Sequence, residues 1–456
     1  MSLSHVSSAW RAAILPCSDL WKVLYLQVQE TKQLKRALEQ THVWFGRAKA
    51  QPLSLFVHFD FNVESARDPL VYYLKGLTDH TACLRHLGLS CSEVIYLLPH
   101  LQETKTTYPN LKSLDLICTS ETIHAEGRGV PLTELDVFNG SPLETVVIRS
   151  KLVIRPGFDT ILPWVRFTHI SVTAWIWAST LVEILQICPN LKSGDFSILT
   201  SGMLFVQGPL NLAVVHKNIE ELRLGFCLRS LCPLQFLAVL HFPSLKTLKI
   251  SRDIDGNDDD ALEIRPAQDF QDFKTLRSLS FDCIFINPEN LADGDTLNNP
   301  ADANALIDIL HQTAVLEELI LTRANIIYLA PVLAAMTFTG SNKLLPLLTT
   351  LRVGLRTPFG TPQFTDQDAN PLVHMVESRS LPGLPGGCKS LERIRLSASD
   401  CVRSRDSPRI KVLEEFLHPC VAAGLLLEVG RLHSDSCPRV QPFNGWRPST
   451  IWRYQT

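Results

Sequence analysis

The chain has 456 residues, of which 45% are hydrophobic, and its 43 basic and 46 acidic side chains give a formal net charge of −3. This balance excludes a disordered chain, which would be poorer in apolar residues, and a protein that binds mainly nucleic-acid phosphates, which would be basic. The length is roughly two to three times that of a typical domain, so we expect several domains or one elongated array. Residues 1–50 and 389–456 each carry +4, which leaves −11 for residues 51–388 and favours a protein partner.

The cysteines and the apolar runs indicate an intracellular protein, cytoplasmic and/or nuclear. The twelve cysteines are scattered, without a C-x-x-C pair or zinc spacing, which favours buried reduced thiols over a disulfide scaffold. The first residues lack the apolar core of a secretory signal. The longest apolar runs, near 231–242 and 421–427, are shorter than the ~20 residues that span a bilayer. Neither a membrane nor a nucleic acid is therefore expected as a partner.

Residues 1–30 predict a short helical hairpin with aromatic anchors. Four of its apolar residues fall on one helical face: Leu3, Val6, Trp10 and Ile14. Pro16 ends that helix, and Leu20 and Trp21 open a second apolar segment. Large apolar side chains usually pack internally, so Trp10, Leu20 and Trp21 alternatively fill the seam between the hairpin and the segments that follow.

The hairpin pattern L-x-x-V-x-x-x-W-R, followed by a proline and L-W, resembles the second half of the F-box in large fungal protein families. The next segment, with Trp44, Arg47 and Pro52, resembles the W-L-x-R-S-x-x-x-P-L-x-L linker after that box. The L-P-x-E-[IL] phrase that opens an F-box does not stand before Leu3, so we expect either that the sequence begins at an internal methionine of a longer frame or that the box is truncated at its N-terminus. The resemblance implies a set of side chains that face a Skp1-type adaptor: Leu3, Val6, Trp10, Pro16, Leu20 and Trp21.

Beyond residues 31–80, which we interpret as a linker and the entry to an array, one phrase recurs. It consists of an apolar residue, two further positions, an apolar residue, one mostly polar position and a third apolar residue. It starts at eleven positions: Leu84, Leu111, Leu143, Phe167, Leu191, Ile219, Leu245, Leu276, Leu316, Leu348 and Leu391. Most of the intervals between starts lie near the period of leucine-rich repeats.

The alternation within each phrase predicts a short strand with one buried face. Apolar segments of helical period precede several phrases, at 181–187, 234–240 and 305–310, so each unit is expected to be helix, turn and strand. The predicted fold class is α/β, a degenerate leucine-rich-repeat solenoid over 81–430 with a curved parallel sheet and outer helices. The alternative is an ordinary α/β domain, but its doubly wound form would show continuous apolar strands and a glycine-rich first turn.

Three other segments carry weaker signals. The acidic run 253–260 partly matches a calcium loop, but Asp258 stands at the position of the required glycine and Ile264 at that of the glutamate, so we expect a solvated loop. The segment 355–385 is rich in proline, glycine and polar residues and predicts a loop. The tail 431–456 contains alternating aromatic and cationic residues and predicts a cap on the array, with partner binding or base stacking as alternatives.

The chain has no phosphate-binding loop, H-E-x-x-H or G-x-S-x-G motif, so we expect no enzyme, no catalytic residues, no cofactor and no metal. F-box and degenerate leucine-rich repeats together resemble the substrate-recognition subunits of SCF-type cullin ubiquitin ligases. The resemblance implies that the head binds the adaptor and that the repeats bind a protein target. One alternative is a leucine-rich-repeat interaction scaffold without a ubiquitin role, and another is an enzyme with an α/β core.

Overall fold

The computed structural model divides the chain into two compact units, and each is described separately. Unit 1 comprises Met1–Ser197 with Arg439–Thr456, and unit 2 comprises Ile198–Pro438. The structure describes the following residues: 8–92, 94–118, 136–138, 140–149, 153–154, 162–199, 214–227, 240–252, 273–282, 300–324, 326–340, 344–355, 366–380, 384, 388–398 and 408–429.

Unit 1 contains a mainly parallel sheet with helices between successive strands. Its strands are β1 (Val23–Val28), β2 (Leu53–Phe59), β3 (Leu84–Cys91), β4 (Ser113–Cys118), β5 (Thr145–Arg149), β6 (Val153–Ile154), β7 (His169–Trp177) and β8 (Ser193–Leu199). Its helices are α1 (Ser8–Ile14), α2 (Leu34–Ala48), α3 (Arg67–Gly76), α4 (Val94–Glu103) and α5 (Ala178–Ile187). The strand order is β1-β2-β3-β4-β5-β7-β8, with β6 also on β7, and the pairs from β1 to β7 are parallel.

The register of unit 1 aligns equivalent apolar positions of successive strands. One buried row follows the second position of the phrase: Leu24, Leu55, Leu87, Leu114, Val146 and Ile170. A second buried row follows the third position: Leu26, Val57, Leu89, Leu116, Ile148 and Val172. Cross-strand contacts between apolar side chains on one face are the unit of sheet stabilisation, so these rows hold the strands in register.

Unit 2 repeats the arrangement with other residues. Its strands are β9 (Val214–Val215), β10 (Glu221–Cys227), β11 (Leu240–His241), β12 (Thr247–Arg252), β13 (Ser278–Asp282), β14 (Glu318–Ala324), β15 (Thr350–Leu355), β16 (Arg393–Ala398) and β17 (Leu426–Val429). Its helices are α6 (Pro300–His311), α7 (Ile326–Met336), α8 (Asp366–Ser380) and α9 (Pro408–Ala422). The parallel order is β10-β12-β13-β14-β15-β16-β17, and β9 pairs with β11 separately. The second-position row is Leu222, Leu248, Leu279, Leu319, Leu351, Ile394 and Leu427.

The mixed α/β class with a long parallel sheet is confirmed, and the second and third positions of all eleven predicted phrases lie on its strands. The first position precedes the strand in every phrase except the one that starts at Leu84. The predicted helical segments 181–187 and 305–310 lie within α5 and α6. Residues 234–239, the acidic run 253–260 and the tail 431–456 lie outside the described residues, as do Leu3 and Val6.

The sheet starts earlier than the sequence predicts. Strand β1 forms the second arm of the predicted hairpin, and β2 lies within 31–80 beside α2 and α3. Both strands have the alternating apolar pattern, but the first position of the phrase is occupied by Trp21 in β1 and by Pro52 in β2. Because this position is leucine, isoleucine or phenylalanine in the eleven predicted phrases, the phrase does not identify these two strands as clearly. The sheet therefore includes one strand from residues 1–30 and one from residues 31–80. At the other end, β17 continues the register with Gly424 in the first position.

The segment predicted as a loop at 355–385 contains helix α8 at Asp366–Ser380, with Pro371 inside it. The proline does not break this helix because apolar residues at helical spacing bury one side of it: Ala369, Leu372, Val373, Met375 and Val376. Tertiary packing here outweighs the composition on which the loop prediction rested.

A buried arginine fixes the C-terminal end of α7. Arg379 of α8 is 1% exposed, and its Nε donates to the carbonyl of Met336, the last residue of α7, at 2.6 Å. Its other nitrogens donate to Leu345 O at 3.0 Å and to Leu344 O. A cation is favourable at the negative C-terminal end of a helix dipole. Three carbonyl oxygens accept the hydrogen bonds of the guanidinium here. Burial lowers the pKa of this guanidinium.

Candidate functional site

The N-terminal segment presents part of its expected partner surface. Helix α1 includes Trp10, whose side chain lies outside the described part of the chain. Pro16 follows the helix and is exposed, and Leu20 lies in a 3₁₀ turn, Ser18–Trp21, with 52% of its surface exposed. Leu15 is also exposed. We call Leu15, Pro16 and Leu20 the N-terminal apolar patch.

Trp21, expected to face the adaptor, is buried. It is 6% exposed, and its indole Nε1 donates to Ile14 O at 3.2 Å. Its ring meets Trp44 of α2 edge-on, with centroids 4.7 Å apart, and the Arg47 guanidinium lies 4.7 Å from its centroid. Trp21 is thus an internal anchor between the end of α1 and α2, which is the alternative that large apolar side chains favour.

The face of the unit 1 sheet opposite the buried rows carries a continuous set of side chains. Residues on this side, which we call the unit 1 sheet face, alternate with the buried positions of the same strands. One register row crosses four neighbouring strands: Tyr25 of β1, Phe56 of β2, Gly88 of β3 and Asp115 of β4. The rings of Tyr25 and Phe56 stack with centroids 4.7 Å apart and an interplanar angle of 12°.

Gly88 allows the Phe56 ring to lie across β3. A Cβ at this position would collide with Cδ1 of Phe56. The missing side chain brings the aromatic pair towards Asp115, the next member of the row. Burial raises the pKa of Tyr25, and the nearby Asp115 carboxyl raises it further. The glycine therefore joins an aromatic surface to an acidic group.

Asp115 is a buried carboxyl with an unused acceptor. The residue is 6% exposed, and its Oδ1 accepts no hydrogen bond from the residues that the structure describes. Burial raises the pKa of Asp115 to about 6, although the Arg149 guanidinium and a hydrogen bond with Ser113 lower it. Leaving such an oxygen unpaired costs about 1–3 kcal/mol or more, because the group has lost its water. The lost hydration of this oxygen is thus not replaced by any described residue.

Polar side chains border this row on both sides. The Nδ1 of His58 and the Oγ of Ser90 lie 3.0 Å apart on β2 and β3. On the other side, burial lowers the pKa of His86, as do the nearby Arg85 and Lys112. A serine beside an imidazole is part of a nucleophilic site, but no acidic side chain hydrogen-bonds to His58 within the described ranges.

The corresponding face of the unit 2 sheet is charged. One register row contains the basic residues Arg223, Lys249, Arg352 and Arg395. Arg352 forms an ion pair with Glu318 at 2.7 Å, and Ser278 Oγ donates to the same carboxylate at 2.8 Å. This cross-strand ion pair offsets the charge of Arg352.

A shallow hollow of about 280 Å³ lies at the last strand of unit 2, lined by Glu414, His418, Val421, Leu427 and Val429. Within the described ranges, no cluster of three or more His, Cys, Asp or Glu residues could hold a metal ion. The helices of that part of the chain are too short or too polar to cross a membrane. Cys91, Cys188 and Cys420 are buried and form no disulfide within the described ranges, and burial raises the pKa of Cys188 to about 12.

The aromatic and acidic row escaped the sequence analysis, although a signal for it exists. Asp115 is the residue between the second and third apolar positions of its phrase, and alignment of the phrases places Tyr25, Phe56 and Gly88 at the same position. Strands β1 and β2 lack the aliphatic first residue of the phrase, so the sequence alone does not align this row. No protein-family model matches the chain, and the curated proteins include no match to it.

Proposed function

We propose that the protein is a non-enzymatic substrate-recognition subunit of an SCF-type cullin ubiquitin ligase. In this proposal the N-terminal apolar patch binds a Skp1-type adaptor, and the strands and helices form a degenerate leucine-rich-repeat solenoid that binds a protein target. The single observation that carries the proposal is the exposure of Leu20 next to the buried anchor Trp21. Leu20 belongs to the N-terminal apolar patch, and exposed apolar patches mark interaction sites more often than single exposed side chains do.

The register supports the repeat part of the proposal. Equivalent phrase positions pair strand after strand within each unit, as stacked repeats with one buried side chain per position require. Solenoid proteins use the open face of such a sheet to bind partners, and the unit 1 sheet face carries exposed aromatic surface there. A cytoplasmic or nuclear location belongs to the same proposal.

The alternative function is a leucine-rich-repeat scaffold that binds a protein without any role in ubiquitin transfer. The burial of Trp21 favours it, because one of the residues expected to face the adaptor is an internal anchor instead. The two candidates differ in one interaction only, the binding of the adaptor.

A pull-down of the full chain with a purified Skp1 adaptor separates the two candidates. The ligase proposal predicts binding at micromolar concentration that Leu20→Asp abolishes, because a charge would enter an apolar contact. The matched control is Leu426→Asp on β17, where the leucine is 47% exposed and belongs to unit 2. Absence of adaptor binding to the wild type would leave the scaffold function, and equal loss in both variants would contradict the assignment of the patch.

A further inference from the structure

We propose that the unit 1 sheet face binds the guanidinium group of an arginine side chain from a protein partner. The group would lie on the stacked rings of Tyr25 and Phe56 and donate hydrogen bonds to Asp115. This inference deepens the proposed function, on which it rests for the protein nature of the partner, by naming the side chain that the sheet recognises.

The aromatic part of the site is preformed. Tyr25 and Phe56 are stacked on neighbouring strands, and Tyr25 remains 42% exposed. A guanidinium is planar and weakly hydrated, so it stacks on aromatic faces more readily than an ammonium does. Because Gly88 has no side chain, the surface of the rings continues across β3 towards β4.

The acidic part of the site lacks a donor. Asp115 is more than nine-tenths buried, and its Oδ1 has no hydrogen-bond partner in the described part of the chain. Its pKa stays raised even though Arg149 acts on it, so the existing cation does not compensate fully for its burial. This oxygen is shielded from solvent, so a planar donor with several N–H groups would satisfy it, and supply the missing positive charge, once the covering side chains move aside.

None of the described neighbouring side chains donates a hydrogen bond to Oδ1 of Asp115. His58 lies 3.0 Å from Ser90, and Ser113 hydrogen-bonds to the Asp115 carboxyl, so two of the nearby hydroxyl groups already have partners. Phosphate or carboxylate groups are disfavoured next to Asp115 because like charges repel. Charge complementarity and the flat aromatic surface together select a guanidinium over an anion and over an aliphatic side chain.

Ligand-observed saturation-transfer NMR on the full chain tests the inference with the peptide acetyl-Gly-Arg-Gly-amide. The comparison peptide carries citrulline, which has the same shape as arginine and no charge. We expect the arginine peptide to bind about tenfold more tightly than the citrulline peptide. Asp115→Asn should weaken arginine binding about tenfold, and Tyr25→Ala about fivefold. The matched control is Tyr72→Ala on α3, where another exposed tyrosine lies outside the sheet, and it should leave binding unchanged.

Equal binding of the citrulline peptide, or an unchanged affinity in Asp115→Asn, would overturn the inference. So would equal binding of a lysine peptide, or tighter binding of a tyrosine peptide, which would assign the face to another occupant. If circular dichroism shows that Asp115→Asn does not fold, the comparison with the citrulline peptide and the Tyr25→Ala variant test the inference instead. The adaptor pull-down does not use this face, so a failed peptide titration with positive adaptor binding removes this inference alone.

Discussion

The sheet faces of unit 1 and unit 2 are built on the same buried framework and carry different chemistry. In unit 1, the row beside the buried leucines contains stacked aromatic rings and a buried carboxyl with an unused oxygen. In unit 2, the equivalent row contains arginine and lysine side chains, and acidic neighbours such as Glu318 pair with them. Similar buried rows therefore do not determine what a repeat sheet binds, because the alternate residues of each strand are free to vary.

The largest effect we predict lies inside unit 2. Arg379→Met should lower the free energy of unfolding by about 3–5 kcal/mol, because three buried carbonyls would lose their donor. Urea denaturation of the full chain measures this loss. The control Arg393→Met removes an exposed arginine whose ion pair with Glu428 spans 3.6 Å, and it should change stability by less than about 0.5 kcal/mol. Similar losses in both variants would contradict the role given to Arg379.

Truncation of a leucine in a buried row should lower the free energy of unfolding by a similar amount in both units. Leu87→Ala in unit 1 and Leu351→Ala in unit 2 should each destabilise by about 2–5 kcal/mol, since both leucines are at most 1% exposed and pack across strands. Urea denaturation compares them with Leu426→Ala, which truncates an exposed leucine and should be close to neutral. A cost confined to one unit would break the structural equivalence of the two sheets.

Asp115 should give unit 1 a distinctive pH dependence. Its pKa rises from 3.8 to about 6 on folding, so the folded state holds the proton more tightly in that interval. The free energy of unfolding therefore falls by about 2 kcal/mol as the pH rises from 4 to 7, and Asp115→Asn should remove this fall. Urea denaturation at several pH values measures the difference between the wild type and the variant.

His80 provides a control of opposite sign. Burial and the nearby His42 lower the pKa of His80 below 6.5, so its contribution to stability is complete above that pH and declines as the pH falls through the lowered value. His80→Asn should therefore remove a rise in stability with pH. If Asp115→Asn and the wild type gave parallel curves, the account of the buried carboxyl would be wrong.

The smallest effect concerns the packing of the aromatic pair. Gly88→Ala should destabilise by about 1–3 kcal/mol, because the new methyl group displaces the Phe56 ring. In Gly46→Ala the new methyl group meets no atom within 4 Å on helix α2, and this change should stabilise by about 0.5–1 kcal/mol. Thermal denaturation distinguishes the two, and the same sign for both would show that Phe56 moves freely.

The sequence predicts the strands where an aliphatic phrase marks them, as at Leu114 and Leu279, because burial of alternate residues imposes that pattern. It does not reveal β1 and β2, where Trp21 and Pro52 replace the first aliphatic residue, or α8, whose packing outweighs Pro371. It names Leu20 as a surface candidate but also names Trp21, which is buried. The partners of Asp115 depend on neighbouring strands that are distant in sequence, so local patterns do not show its unused oxygen.

A calorimetric titration of a purified Skp1 adaptor into the full chain, alone and with saturating acetyl-Gly-Arg-Gly-amide, tests the central claim most directly. The account predicts one adaptor per chain, with an affinity that the peptide leaves unchanged, because the N-terminal apolar patch and the unit 1 sheet face consist of different residues. Displacement of one ligand by the other would contradict the separation of the two surfaces. Absence of heat from both ligands would contradict the account of this protein as an adaptor-bound, target-binding repeat protein.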